Sequence, residues 1–175
     1  NSNVILKRNF ENFKNFHDIY LNFSKKLSEL KYKSFVVAIS GGPDSLALAA
    51  LSKFYSISKK SKFSYILVNH NIRKGSSKEA IKVKKLLKKS DINLQIINNK
   101  KKIIKNIQGE ARKIRYSILE KFCEKKKIKI ILTAHNLEDQ VETFLISVMK
   151  SQTSLIGARI EKVLDNSTFT RFLCF

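Results

Sequence analysis

Four short apolar runs punctuate the chain, and each is followed by a stretch with helical periodicity. The runs are Phe35–Ile39, Tyr65–Val68, Ile92–Ile97 and Ile128–Thr133. They are rich in β-branched residues and too short for buried helices, so they read as buried strands. Strands alternating with helices predict an α/β fold, with a parallel sheet covered by helices on both faces. Right-handed crossovers then make it doubly wound, with ligands at the carboxyl ends of the strands. Thr170–Phe175 can supply a fifth strand. Ahead of the sheet, Phe10, Phe13, Phe16, Tyr20, Phe23, Leu27 and Leu30 recur every three or four residues, the signature of an amphipathic helix whose aromatic stripe is core. His17 lies beside that stripe as a surface or packing histidine. There is no internal repeat and no long linker. The expected organisation is one domain over 1–175: a helix within 1–32, a core over 33–150 and a tail at 151–175. With 43% apolar residues in 175, the chain can bury one sizeable core.

The first strand runs into Ser40-Gly41-Gly42-Pro43-Asp44-Ser45, which holds the only proline and two of the five glycines. This reads as a tight turn and a helix start, with Pro43 at the first helical position and Leu46–Leu51 continuing the helix. Backbone N–H groups at such a helix start, unobstructed by side chains on Gly41 and Gly42, form an anion cradle. An ordinary strand–turn–helix corner is the alternative. The flanking serines add hydroxyl donors and Asp44 adds a carboxylate suited to magnesium, which favours a nucleotide site. No G-x-x-x-x-G-K-[ST] loop occurs, and the third glycine of a dinucleotide fingerprint is missing.

The other strand ends carry more polar chemistry. The second leads into Asn69-His70-Asn71-Ile72-Arg73-Lys74, which alone reads as a polar loop, with Ser76 or Ser77 capping the next helix. The fourth leads into His135-Asn136-Leu137-Glu138-Asp139-Gln140-Val141-Glu142-Thr143. In a helix from about Leu137, Val141, Phe144, Leu145 and Val148 share the buried face, and Asp139, Glu142 and Thr143 lie opposite. An acidic first turn complements a helix dipole. Three carboxylates beside a histidine in so basic a chain are also suited to magnesium or to an attacking amine. Between these, Arg112 and Arg115 are three apart, on a helix face away from Ile107, Ala111, Ile114 and Ile118. They read either as a phosphate fork or as solvated surface.

The formal charge is +21, from 35 Lys and Arg against 14 Asp and Glu. A field of that sign favours a polyanionic partner, nucleic acid first and an anionic membrane surface second. Lysine, asparagine and isoleucine crowd the whole chain, so compositional bias is the alternative source of the charge. Cys123 and Cys174 form no C-x-x-C pair, which argues against a zinc site or redox dithiol and fits a reducing compartment. No apolar run reaches the roughly 18–20 residues of a bilayer span, so a cytoplasmic protein without a membrane partner is expected.

The Ser-Gly-Gly-x-Asp-Ser pattern resembles the PP-loop of the ATP pyrophosphatases, an adenine nucleotide alpha hydrolase-like superfamily whose enzymes adenylate an acceptor and release pyrophosphate. Four motifs in order are similar to those of the tRNA(Ile)-lysidine synthetases: Ser40–Ser45, Val68–Arg73, Glu110-Ala111-Arg112-Lys113-Ile114-Arg115-Tyr116, and His135–Thr143. The resemblance covers about residues 30–150. It implies ATP and magnesium as cofactors, and tRNA(Ile) with a CAU anticodon and free L-lysine as substrates. By the same resemblance, Ser40, Gly41, Gly42, Pro43, Asp44 and Ser45 bind ATP, and Asp44 and Asp139 hold magnesium. Asp44, Arg112, His135, Asp139 and Glu142 are the expected catalytic residues. His70, Arg73, Arg115, Glu138 and Thr143 are the expected substrate contacts. Asn69 stands where the family pattern has aspartate, and Glu138 where it has the first aspartate of the last motif. The family's C-terminal tRNA-gripping domains are expected to be absent. A thiolating or amidating enzyme on the same scaffold, and a nucleotide- or RNA-binding remnant without turnover, are the alternatives.

Overall fold

The computed structural model describes residues 17–99, 103, 106–134 and 171–174. The chain divides into two compact units, Asn1–Lys33 and Ser34–Phe175. In the first unit, residues 17–29 form helix α1, which buries Phe23 and Leu27 and exposes Ile19 and Leu21. Phe10, Phe13 and Phe16 of the expected stripe lie outside the described residues.

The second unit follows the order β1 (Ser34–Ile39), α2 (Pro43–Lys59), β2 (Lys62–Asn69), α3 (Ser76–Lys88), β3 (Leu94–Asn98), α4 (Ile107–Lys126), β4 (Ile130–Thr133) and β5 (Arg171–Cys174). The five strands lie in the order β3-β2-β1-β4-β5, and every pair is parallel. The chain therefore winds outward from β1 to β3, then crosses back over β1 to begin β4. The reversal falls between β1 and β4, where a doubly wound sheet opens a ligand crevice at its carboxyl edge.

Strand periodicity sorts the core into two layers. Val36, Ile66 and Ile131 point to one face and pack with Leu119 and Cys123 of α4. Phe35 stacks on Phe63 at 5.0 Å, and Tyr55 of α2 meets the Phe63 ring edge-on at 6.1 Å, so α2 covers the other face. Phe35, Val36, Val37, Ile130, Ile131 and Leu132 are wholly buried, as expected for parallel strands covered on both sides.

Some boundaries differ from those the sequence suggests. β2 begins at Lys62, not Tyr65, because Phe63 joins the aromatic stack and Ser64 pairs with Val36. β3 and β4 are shorter than their apolar runs. α3 is preceded by Gly75 in a left-handed conformation (φ 101°) and has no side-chain cap. Its Ser77 hydroxyl serves the β2 loop instead.

Candidate nucleotide site

The end of β1 turns sharply at Gly41, whose φ of +94° is left-handed backbone. A Cβ on Gly41 would stand 3.0 Å from Val83 Cγ2 of α3, so the turn is also tightly packed. Gly42 then precedes α2 with extended backbone and no side-chain cap, and Pro43 opens the helix.

Ser40 and Ser45 hold this turn together from within. The Gly41 N–H donates to Ser45 Oγ at 3.1 Å, and Ser45 Oγ donates to the Gly42 carbonyl at 2.9 Å. Ser40 Oγ donates to Ser45 Oγ at 3.1 Å and accepts from the Gly42 N–H at 3.4 Å. The serine hydroxyls and both glycine N–H groups thus stabilise the loop itself, unlike the free cradle that the sequence suggests. Leu46 N–H to Gly42 C=O, at 3.1 Å, is the first helical bond, so the N–H groups of Asp44 and Ser45 stay ahead of it. With Pro43 contributing no donor, these two form the positive end of the α2 dipole.

Above the loop opens a cleft of about 350 Å³. β1 contributes Ala38 and Ile39; the loop and α2 contribute Ser40, Gly42, Asp44 and Ser45. Arg112, Arg115, Tyr116 and Leu119 come from α4, and Thr133 and Ala134 from the end of β4. The fold thus joins the Ser40–Ser45 motif to the arginine motif far along the chain.

Arg115 reaches the cleft by a route the sequence reading did not foresee. Ala111, Leu119 and Cys123 form the buried stripe of α4, and Arg115 lies on that stripe, four residues from Ala111 and from Leu119. Ile107, expected on the buried face, is 48% exposed. Burial holds the Arg115 guanidinium below its usual value, and Arg112 adds to this while Tyr116 opposes it. The Arg112 guanidinium stands over the Tyr116 ring at 5.6 Å from the centroid. Glu110 pairs with the exposed Lys113 at 3.1 Å, and no carboxylate among the described residues pairs with either cleft arginine. Among the described residues that line the cleft, Asp44 is the one acidic residue. Two guanidiniums on one cleft wall with a helix N-terminus suit an anionic ligand.

Tyr116 and Thr133 were not among the expected site residues. Thr133 carried a legible signal, being a buried polar residue that ends the apolar run Ile130-Ile131-Leu132 at the carboxyl edge. Tyr116 was visible only as the neighbour of Arg115.

The second strand end forms a different kind of structure. His70 and Arg73 follow β2 and do not line the cleft. Both ring nitrogens of His70 are enclosed with no hydrogen-bond partner among the described residues, and burial followed by the charge of Arg115 pulls its pKa below the usual value. Asn69 is buried; its Nδ2 lies 2.8 Å from Asn71 Oδ1, 3.1 Å from Ser77 Oγ and 3.1 Å from Asn98 Oδ1. Its Oδ1 accepts the Asn71 N–H at 3.1 Å. A donor amide suits three converging acceptors, which is the physical counterpart of finding asparagine at position 69. His135, Glu138, Asp139, Glu142 and Thr143, with the helix expected from Leu137 to Met149, lie outside the described residues.

A strand–loop–helix anion cradle at the switch point of a parallel sheet defines a nucleotide-binding α/β domain. The family described as the PP-loop domain matches residues 14–173, and the chain belongs to that family. Curated relatives include a tRNA(Ile)-lysidine synthase of Orientia tsutsugamushi (strain Boryong), 35% identical over 65% of this chain and 26% of the relative. Another of that name, from Wolbachia pipientis wMel, is 41% identical over 63% of this chain and 26% of its own length. That of Anaplasma marginale (strain St. Maries) is 34% identical over 84% of this chain and 33% of its own length. The chain thus spans about a quarter to a third of these relatives. Among solved structures, the U34-tRNA thiolase NcsA from Methanococcus maripaludis with its 4Fe-4S cluster superposes with a TM-score of 0.69 at 20% identity. That match covers 90% of this chain and 59% of the thiolase, and at this identity it shows the shared fold.

Proposed function

We propose that this chain is the ATP-using domain of a tRNA(Ile)-lysidine synthase. ATP enters the cleft with its polyphosphate against the α2 N-terminus. O2 of the wobble cytidine, in a tRNA(Ile) with a CAU anticodon, attacks the α-phosphorus, and pyrophosphate leaves with the bridging oxygen. The amine of free lysine then attacks C2 of the adenylated base. The C2–O2 bond breaks, AMP carries the oxygen away, and the nitrogen gives up its proton to yield lysidine.

The observation that carries this reading is the shared cleft of Asp44, Arg112 and Arg115 at the start of α2. The Asp44 and Ser45 N–H groups receive the leaving pyrophosphate, and the guanidiniums of Arg112 and Arg115 stabilise charge as it develops on the phosphates. Asp44 is exposed and forms no ion pair with the described cations, so its carboxylate fits a magnesium ion, which takes few protein ligands and completes its shell with phosphate oxygens. Bound there with Asp139, magnesium supplies neutralising charge to the polyphosphate. The last motif assigns His135, Glu138, Glu142 and Thr143 to the nucleotide and lysine. Thiolation chemistry calls for a reactive thiol, whereas burial and then the charges of Glu120 and Glu124 push the Cys123 thiol up to about 12. That disfavours Cys123 as the thiol of a thiolase.

Incubation of the chain with ATP, magnesium, a CAU-anticodon tRNA(Ile) transcript and radiolabelled lysine is expected to transfer label to the RNA and release pyrophosphate. Asp44→Ala is expected to lower both by at least about a hundredfold. Label-free RNA in the presence of bound ATP would favour a remnant without turnover, and a thiolated product would overturn the lysine reading.

A further inference from the structure

We infer that the outward face of α3 is the surface on which this domain docks the phosphate backbone of its RNA. The inference rests on the RNA substrate proposed above, and it adds where that RNA is held. α3 packs on β2 and β3 through Ala80, Val83 and Leu87, which share one side of the helix. Lys78, Lys82, Lys85 and Lys89, spaced four, three and four residues apart, fall on the opposite side. All four are exposed, and none is ion-paired among the described residues. At 1.5 Å rise per residue the row runs about 16 Å. Arg73, Lys74, Lys84 and Lys88 flank it, and Glu79 is the one acidic residue between Arg73 and Lys89.

Helix stability does not account for this row. Lys85 and Lys88 lie in the last turn, where they complement the helix dipole. Lys78 and Lys82 lie in the N-terminal half, where positive charge opposes it, yet no carboxylate pairs with them. By contrast, the cations of α4 are interspersed with Glu110, Glu120 and Glu124. Compositional bias toward lysine would enrich every surface and would not leave one helix face nearly free of acids. A bilayer surface fits less well, because binding one requires an amphipathic helix to turn its apolar side outward. Ala80 and Leu87 of α3 are buried, and the exposed Ile81 and Leu86 lie on opposite flanks of the lysine row and form no continuous apolar face. The row is also close to the chemistry, since Val83, on the inner side of the same helix, touches the Gly41 turn.

The test compares two variants of the full chain that lose the same charge. One carries Lys78→Gln, Lys82→Gln, Lys85→Gln and Lys89→Gln. The other carries Lys59→Gln, Lys60→Gln, Lys62→Gln and Lys127→Gln, all exposed positions just before or at the starts of β2 and β4 and none of them on α3. Circular dichroism establishes folding, and binding of a labelled tRNA transcript is measured across a salt series. The α3 variant is expected to bind at least about tenfold more weakly, with a log–log salt slope shallower by roughly 3, because each duplex phosphate contact contributes about 0.9. The control variant is expected to keep most of the wild-type affinity and slope. Equal losses in both variants, no loss in either, or loss only of binding to phosphatidylserine vesicles would overturn the inference. Wild-type protein that binds tRNA through α3 but forms no lysidine would overturn the proposed reaction and leave this surface standing. Lysidine formation by the α3 variant with the same efficiency as wild type would do the reverse.

Discussion

Gly41 is under two separate constraints, and they can be measured separately. Its positive φ disfavours any side chain, and Val83 occupies the space a Cβ would need. Gly41→Ala is therefore expected to cost about 1–3 kcal/mol of stability in chemical denaturation. Adding Val83→Ala relieves the steric part and leaves the backbone part, so the double variant should recover some of the loss beyond additivity. Asn69 invites the opposite experiment, the introduction of a charge. Asn69→Asp directs a carboxylate oxygen at Asn71 Oδ1, Ser77 Oγ and Asn98 Oδ1, and should destabilise by about 1–3 kcal/mol. His70 sets a pH dependence. Its folded pKa lies below the unfolded value because of burial and Arg115, with Arg112 further along the same helix. Above about pH 6.5 both states hold a neutral ring; below it the unfolded chain binds a proton that the folded chain resists, so stability falls with acid. The thermal midpoint should drop between about pH 7 and 5.5, and His70→Gln should flatten that drop.

At the scale of elements, α4 ties the core to the cleft. Leu119 is wholly buried, belongs to the cluster under β1, β2 and β4, and also lines the cleft. Leu119→Ala is expected to cost about 2–5 kcal/mol, read by denaturant titration, and to weaken nucleotide binding by loosening the stripe that carries Arg115. The alternation of apolar runs was enough to read the strands, their parallel pairing and the site at their carboxyl ends, because period and strand length are local properties. The face on which Arg115 lies was not legible, because a three-residue spacing from Arg112 says that two side chains are neighbours and not which way they face. Leu119 and Cys123 settle the direction, and their burial is a tertiary fact. The start of β2 was hidden for a similar reason: Lys62-Phe63-Ser64 becomes strand only because Phe35 and Tyr55 receive Phe63. The bonds that tie Ser40 and Ser45 to each other and to the loop were not legible either, since the sequence shows hydroxyls beside a turn but not what they bond to.

For the whole molecule, the dominant quantity is the charge of +21. Like charges at that density repel, so the folded chain should gain stability as salt screens them. Raising KCl from about 20 mM to about 300 mM is expected to raise the thermal midpoint while weakening RNA binding, a divergence that calorimetry and a binding titration would detect together. No helix among the described residues is long and apolar enough to cross a membrane.

The fit that would leave a Cβ on Gly41 only 3.0 Å from Val83 Cγ2 has a mechanical meaning as well as a steric one. With less than a methyl group's room between them, a tilt of α3 toward the sheet is expected to displace the turn. A polymer resting on the far side of that helix, as proposed above, would bear on the Gly41 turn, so that its grip and the fit of a small nucleotide would be set by a single joint.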